Sequence, residues 1–210
     1  MRIASLAILS LALAAIPAFG QGGWSYDNGP INGTTDAWTI NFGYVVSDTF
    51  TAGGATTDFE FGAWEFSGDA LTSVDWSITT AENGGMVIGS GTASGKNITD
   101  TFISSNQYGY DIDKIAVTGL NVNTISGASY WLNLQNAVVP SGDPVFWDEN
   151  SGTGCGGNGC PSSASESSVG TIPGEAFTIG FSGTSPEPSS IMLFGSGILG
   201  LVGVLRRKLF

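Results

Sequence analysis

Thr57–Trp64, TDFEFGAW, decides the fold. Taken as an extended segment, it puts Phe59, Phe61 and Ala63 on one face and Asp58, Glu60 and Gly62 on the other. Period two with one apolar and one polar face predicts a half-buried antiparallel strand. The same reading holds for SVDWSITT, with Val74, Trp76 and Ile78 in step, and for SYWLNLQNA, with Tyr130, Leu132 and Leu134 in step. YDIDKIAV behaves similarly.

Turn clusters separate these runs: Asn32-Gly33, Gly53-Gly54, Ser67-Gly68-Asp69, Glu82-Asn83-Gly84-Gly85, Ser94-Gly95-Lys96 and Ser126-Gly127. Short strands between such turns predict an all-β domain, an antiparallel β-sandwich or jelly roll. No amphipathic helix exceeds two turns, and no fixed-period repeat suggests a solenoid. Ser141–Gly170 reads as loop, with strand resuming near Thr171. Six tryptophans, with many Phe, Ile and Val, argue for a folded core rather than a low-complexity chain.

Both ends of the chain read differently. Arg2, the apolar run Ile3–Ile16 and the small residues Ala18 and Gly20 make a secretory signal peptide over residues 1–20. A linker near Gly183 leads into a tail, residues 184–210, and leaves residues 21–183 for the β domain. The tail contains Pro186-Glu187-Pro188, an apolar run Ile191–Leu205, and Arg206-Arg207-Lys208. As a helix the run is about 22 Å long at about 1.5 Å per residue. A bilayer core needs about 30 Å, so it is a short transmembrane helix, lengthened by its flanks and by snorkelling of the basic residues. The positive end is expected on the cytoplasmic side.

Those three parts, in that order at the C-terminus, resemble the PEP-CTERM sorting signal of Gram-negative bacteria, a tail that also goes under an ice-binding-protein C-terminal label. The resemblance implies export through the secretion machinery. It also implies transient anchoring in the inner membrane, and recognition by an exosortase-type enzyme that processes the chain near Pro186-Glu187-Pro188. It implies a cell-surface or extracellular destination, in company with extracellular polysaccharide. EFSGDALTSVDWSI, YWLNLQNA and WDENSG resemble β domains of other exported proteins with this tail, which have no activity to carry over. Threonines scattered without a repeat argue against an ice-binding array.

Charge narrows the partners. Seventeen of the eighteen acids lie between the two terminal signals, against Lys96 and Lys114 and no Arg. Phosphate recognition needs Arg forks or Lys charge, so nucleic acid is excluded as a partner; a cation or a neutral polar surface suits the domain. The chain has no His, which removes Ser-His-Asp and Cys-His catalysis and most transition-metal sites. No catalytic set is assigned. Glu60, Glu65, Asp75, Asp148 and Glu149 include carboxylates that a glycan hydrolase could pair, but so many acids on one domain make such a pair unspecific.

Three further groups are candidates. Cys155 and Cys160, the only cysteines, predict a small disulfide in an exported chain. Asp143, Asp148, Glu149 and Asn150 cluster in sequence with oxygens suited to Ca²⁺, and Asp111 and Asp113, sharing a strand face, form a second such candidate. Tyr130, Trp131 and Trp147 are candidate platforms for sugar rings; Trp147, beside the acids, is the one expected outside the core. Asn32 and Asn97 match a glycosylation pattern that here reads as turn chemistry. The expected function is a non-catalytic surface or matrix protein that binds polysaccharide. The competing expectations are a carboxylate glycan hydrolase and a purely structural matrix component.

Overall fold

The computed structural model describes residues 25–150 and 163–182. The signal peptide, the sorting tail, Cys155 and Cys160 lie outside the described residues. Among the described residues thirteen strands form two antiparallel sheets, with a single 3₁₀ turn at Gly95–Asn97. The first sheet contains β1 (Ser25–Asp27), β2 (Ala37–Thr39), β4 (Ala55–Phe66), β7 (Ile98–Ser105), β8 (Tyr110–Val122), β10 (Phe146–Asp148) and β13 (Phe177–Ser182). The second runs in the order β12 (Gly170–Pro173), β11 (Ser163–Glu166), β3 (Val45–Thr51), β9 (Ser129–Val138), β5 (Ser73–Ala81) and β6 (Gly84–Ser94). No helix among the described residues is long and apolar enough to cross a membrane.

β4 organises the first sheet. Along one edge it pairs with β13 and then β10; along the other it pairs with β8 from Thr56↔Val122 to Phe66↔Tyr110. The alternation of TDFEFGAW sets its two faces: Phe59, Phe61 and Ala63 are wholly buried. In the second sheet Val74, Ile78, Leu132 and Leu134 are likewise wholly buried. These residues join one core cluster drawn from both sheets. Ring pairs cross the interface, Phe59–Trp76 at 6.3 Å, Tyr26–Phe50 at 6.1 Å and Phe50–Phe181 at 6.3 Å. Each such side chain contributes about 1.5–3 kcal/mol by leaving water.

Three expectations are corrected. Trp147 is a core residue, not an exposed platform: it is wholly buried, packs edge-on against Phe61 and Phe177, and donates its indole N–H to the Ala176 carbonyl at 3.1 Å. The stretch read as loop from Ser141 to Gly170 holds β10, whose partners lie far away in sequence, and β11, which pairs with distant β3 as well as with the adjacent β12. The polar face of the second sheet is not simply solvated. Ser47, Thr79, Asn133 and Ser165 are buried, and the β5–β6 turn reaches across β9 to cover them. There the Asn83 Oδ1 accepts from the Ser47 hydroxyl at 2.8 Å, and its amide N–H donates to the Ser165 hydroxyl at 2.9 Å.

Candidate functional site

The four residues first read as calcium ligands are not gathered around one point. Asp148 lies on the outward face of β10, where its carboxylate accepts from the Trp64 indole N–H at 2.7 Å and from the backbone N–H groups of Asn32 at 2.9 Å and Gly33 at 3.1 Å. Gly62 leaves the room for it: a Cβ there would stand 2.8 Å from the Asp148 Cβ. Gly33 has φ +64° and sits where a Cβ would run into Ile112. Burial raises the Asp148 pKa, while the bonds from Asn32, Trp64 and Gly33 oppose the shift. This carboxylate clamps the Asn32–Gly33 turn onto the first sheet.

Asn150 and Glu149 enter a second knot. The Asn150 amide donates to the Asn28 carbonyl at 2.6 Å; Asn28 donates to the Asp48 carboxylate at 2.9 Å and to the Glu175 carbonyl at 2.8 Å. Glu149 and Glu175 face each other across an isolated antiparallel bridge. Burial raises Glu149, the Asp36 charge adds to it, and the Trp38 indole opposes. Burial, then the Asp48 charge, pushes the wholly buried Glu175 well above the usual carboxylate range. Asp143 stands apart, half-buried in the turn before β10.

The ladder assembles a different group of acids. Glu65 on β4, Asp113 on β8 and Asp100 on β7 bring carboxylate oxygens within 4.8 Å of one another. The register explains it: Glu65 pairs with Asp111, Ala63 and Phe102 pair with Asp113, and Asp100 pairs with Ile115. Directly paired residues share a face, so all these side chains project from the core side of the sheet. The trio therefore continues the apolar row Phe59–Phe61–Ala63 with charge. Glu65 is wholly buried and neither of its oxygens has a hydrogen-bond partner. Asp100 accepts the Leu71 backbone N–H at 2.7 Å. Burial, then the Asp100 charge, raises Glu65 to about 9; burial and Asp100 likewise raise Asp113 to about 6. Burial also raises Asp100, against the Leu71 bond.

Asp113 was readable in the sequence, as half of the Asp111–Asp113 pair on one strand face. Glu65 was read only as one carboxylate among many. Asp100 was missed, because nothing local marks it and only the β7–β8 register brings it in.

A surface cleft of about 280 Å³ lies over the start of the β2–β3 connection and the end of β9, lined by Asn41, Phe42, Asn136, Val138 and Asp143. Phe42 is 63% exposed at φ 55°, and Asn136 has φ 50°. Non-glycine residues in the left-handed region cost about 1–2 kcal/mol each. The Asn41 amide donates to the Asp143 carbonyl at 3.0 Å, and its buried Oδ1 has no hydrogen-bond partner. Phe42 carried no signal in the sequence, since an isolated Phe in a turn reads as core.

Of the three aromatics expected to form a platform, only Trp131 is half-exposed, on the outer face of the second sheet; Tyr130 is buried. The carboxylates that might have served a hydrolase are dispersed. Glu60 pairs with Lys114 at 3.4 Å on the outer face, Asp75 accepts from Thr92 and Asn136, and Glu65 and Asp148 are wholly buried.

The two-sheet antiparallel domain precedes, in the sequence, a proline-bracketed and basic-ended tail. The family model for the PEP-CTERM protein-sorting motif matches residues 186–208, and the chain carries that motif. It marks the protein as exported and processed by an exosortase-type system, with membrane-associated sorting toward the cell surface. No curated protein matches the chain.

Proposed function

We propose that this is a non-catalytic cell-surface or extracellular-matrix protein of a Gram-negative bacterium whose β-sandwich, residues 21–183, binds polysaccharide. In this reading residues 1–20 direct export, the tail anchors transiently in the inner membrane, and Cys155 and Cys160 close a disulfide. The observation that carries the binding role is the cleft beside Phe42. An exposed ring held on a left-handed backbone is costly twice over, in strain and in wet apolar surface. Around it stand Asn41, Asn136 and Asp143, amides and a carboxylate of the kind that bind sugar hydroxyls, while the ring offers a face for the sugar C–H groups. Trp131 is a second accessible aromatic; Tyr130 and Trp147 drop out of this role on burial.

Binding of the purified full chain to a glycan array, with and without calcium, tests the reading. Saturable binding to a defined polysaccharide, weakened at least tenfold by Phe42→Ala, supports it. Release of reducing sugar would favour a hydrolase instead. Absence of binding in both conditions would leave a purely structural matrix component.

A further inference from the structure

We propose that Glu65, Asp100 and Asp113 bind a single divalent cation of the calcium type. Calcium holds oxygen ligands at about 2.3–2.6 Å, so two oxygens on one ion stand at most about 5 Å apart. The three carboxylates meet that limit, with oxygens within 4.8 Å of one another. They come from three different strands, β4, β7 and β8, and the hydrogen-bonded ladder fixes their spacing.

Glu65 makes the cluster a site rather than a patch of acidic surface. Both of its oxygens are buried without a hydrogen-bond donor, inside a ring of like charge. Glu175 likewise lacks donors, but among the described residues it belongs to no such trio of carboxylates, and other acids here are supplied with donors. Asp148 has three, and Glu166 is wrapped by Ser167, Ser168 and Val169. Among the described residues no side-chain cation compensates Glu65. Lys114 points to the opposite face of β8, where it pairs with Glu60, and Lys96 is exposed in the 3₁₀ turn. Asp69 and Asp111 add further negative charge to the neighbourhood. A buried carboxylate without a donor or counter-ion is costly, and what remains to compensate it is a proton or a bound cation. Both compete for the same oxygens. Asp100 is half-exposed and gives an ion its way in, and a hard cation prefers an all-oxygen set of this kind. The site is independent of the cleft beside Phe42 and of Asp143, Asp148, Glu149 and Asn150.

Equilibrium dialysis of the chelator-treated full chain against calcium ions tests the site, with Glu65→Gln, Asp113→Asn and Asp143→Asn compared. Glu65→Gln keeps the shape of the neutral acid, so it folds, and thermal unfolding checks this. The wild type and Asp143→Asn are expected to bind one ion more than Glu65→Gln or Asp113→Asn, half-saturating at about 10⁻⁴–10⁻³ M. Equal binding by the wild type and Glu65→Gln overturns the proposal, as does a loss confined to Asp143→Asn. No saturable ion in the wild type overturns it as well.

Discussion

Asp148 and Glu65 are both wholly buried carboxylates of the first sheet, yet they stand in opposite situations. Asp148 lies on the outward face, under the Asn32–Gly33 turn, and takes hydrogen bonds from an indole and two backbone N–H groups. Glu65 lies on the core-facing side and takes none. The first is compensated from within the chain and works as a clamp. The second is raised to about 9 and is left for a proton or an ion from outside. Burial alone therefore says little about what an acid does; its donors decide.

The clamp is the place to break the comparison with the largest effect. Asp148→Ala leaves the buried Trp64 indole and Gly33 N–H and the half-buried Asn32 N–H without their acceptor, a buried donor costing about 1–3 kcal/mol when orphaned. The expected loss is about 3 kcal/mol or more in urea unfolding, with unchanged calcium uptake at the trio.

Glu175 sharpens the comparison through pH. Its pKa is raised in the fold, so the folded state holds a proton that the unfolded chain gives up near the ordinary glutamate value. Its contribution to stability is full below that value and is lost as pH rises toward its folded pKa. Each pH unit so lost is worth about 1.4 kcal/mol. Glu175→Gln is expected to unfold later than the wild type at pH 8 and to lose that advantage near pH 4. A denaturation series across pH checks it.

The smallest effect belongs to the cleft. Phe42→Gly relieves a left-handed residue and is expected to raise stability by about 0.5–1 kcal/mol while removing polysaccharide binding. Stability falling along with binding would show that the ring supports the fold instead.

The alternation of Phe59, Phe61 and Ala63, and of Leu132 and Leu134, was enough to foresee two antiparallel sheets, because period two is a local signal. β10 and β11 were invisible for the converse reason. Three or four residues carry no periodicity, and the partners that set them into their sheets, Ala63 and Trp38 for β10 and Asp48 for β11, stand far off in the chain, only β12 pairing with β11 locally. Trp147 was misplaced because its acidic neighbours suggested solvent, whereas strand alternation turns Asp148 outward to Trp64 and Trp147 inward to the core. Asp113 could be suspected from its spacing to Asp111; Asp100 could not, since only cross-strand register brings it to Glu65. The tail was the most readable part, because a sorting signal is a linear pattern and needs no fold.

The most direct measurement is the thermal unfolding of the full chain with calcium and with chelator, for the wild type, Asp148→Asn and Glu65→Gln. A ligand held only by the folded state stabilises by about 2.7 kcal/mol at a hundred times its dissociation constant. Saturating calcium is expected to raise the midpoint of the wild type and of the weaker Asp148→Asn by similar amounts, and to leave Glu65→Gln unmoved. A calcium shift retained in Glu65→Gln would contradict the account.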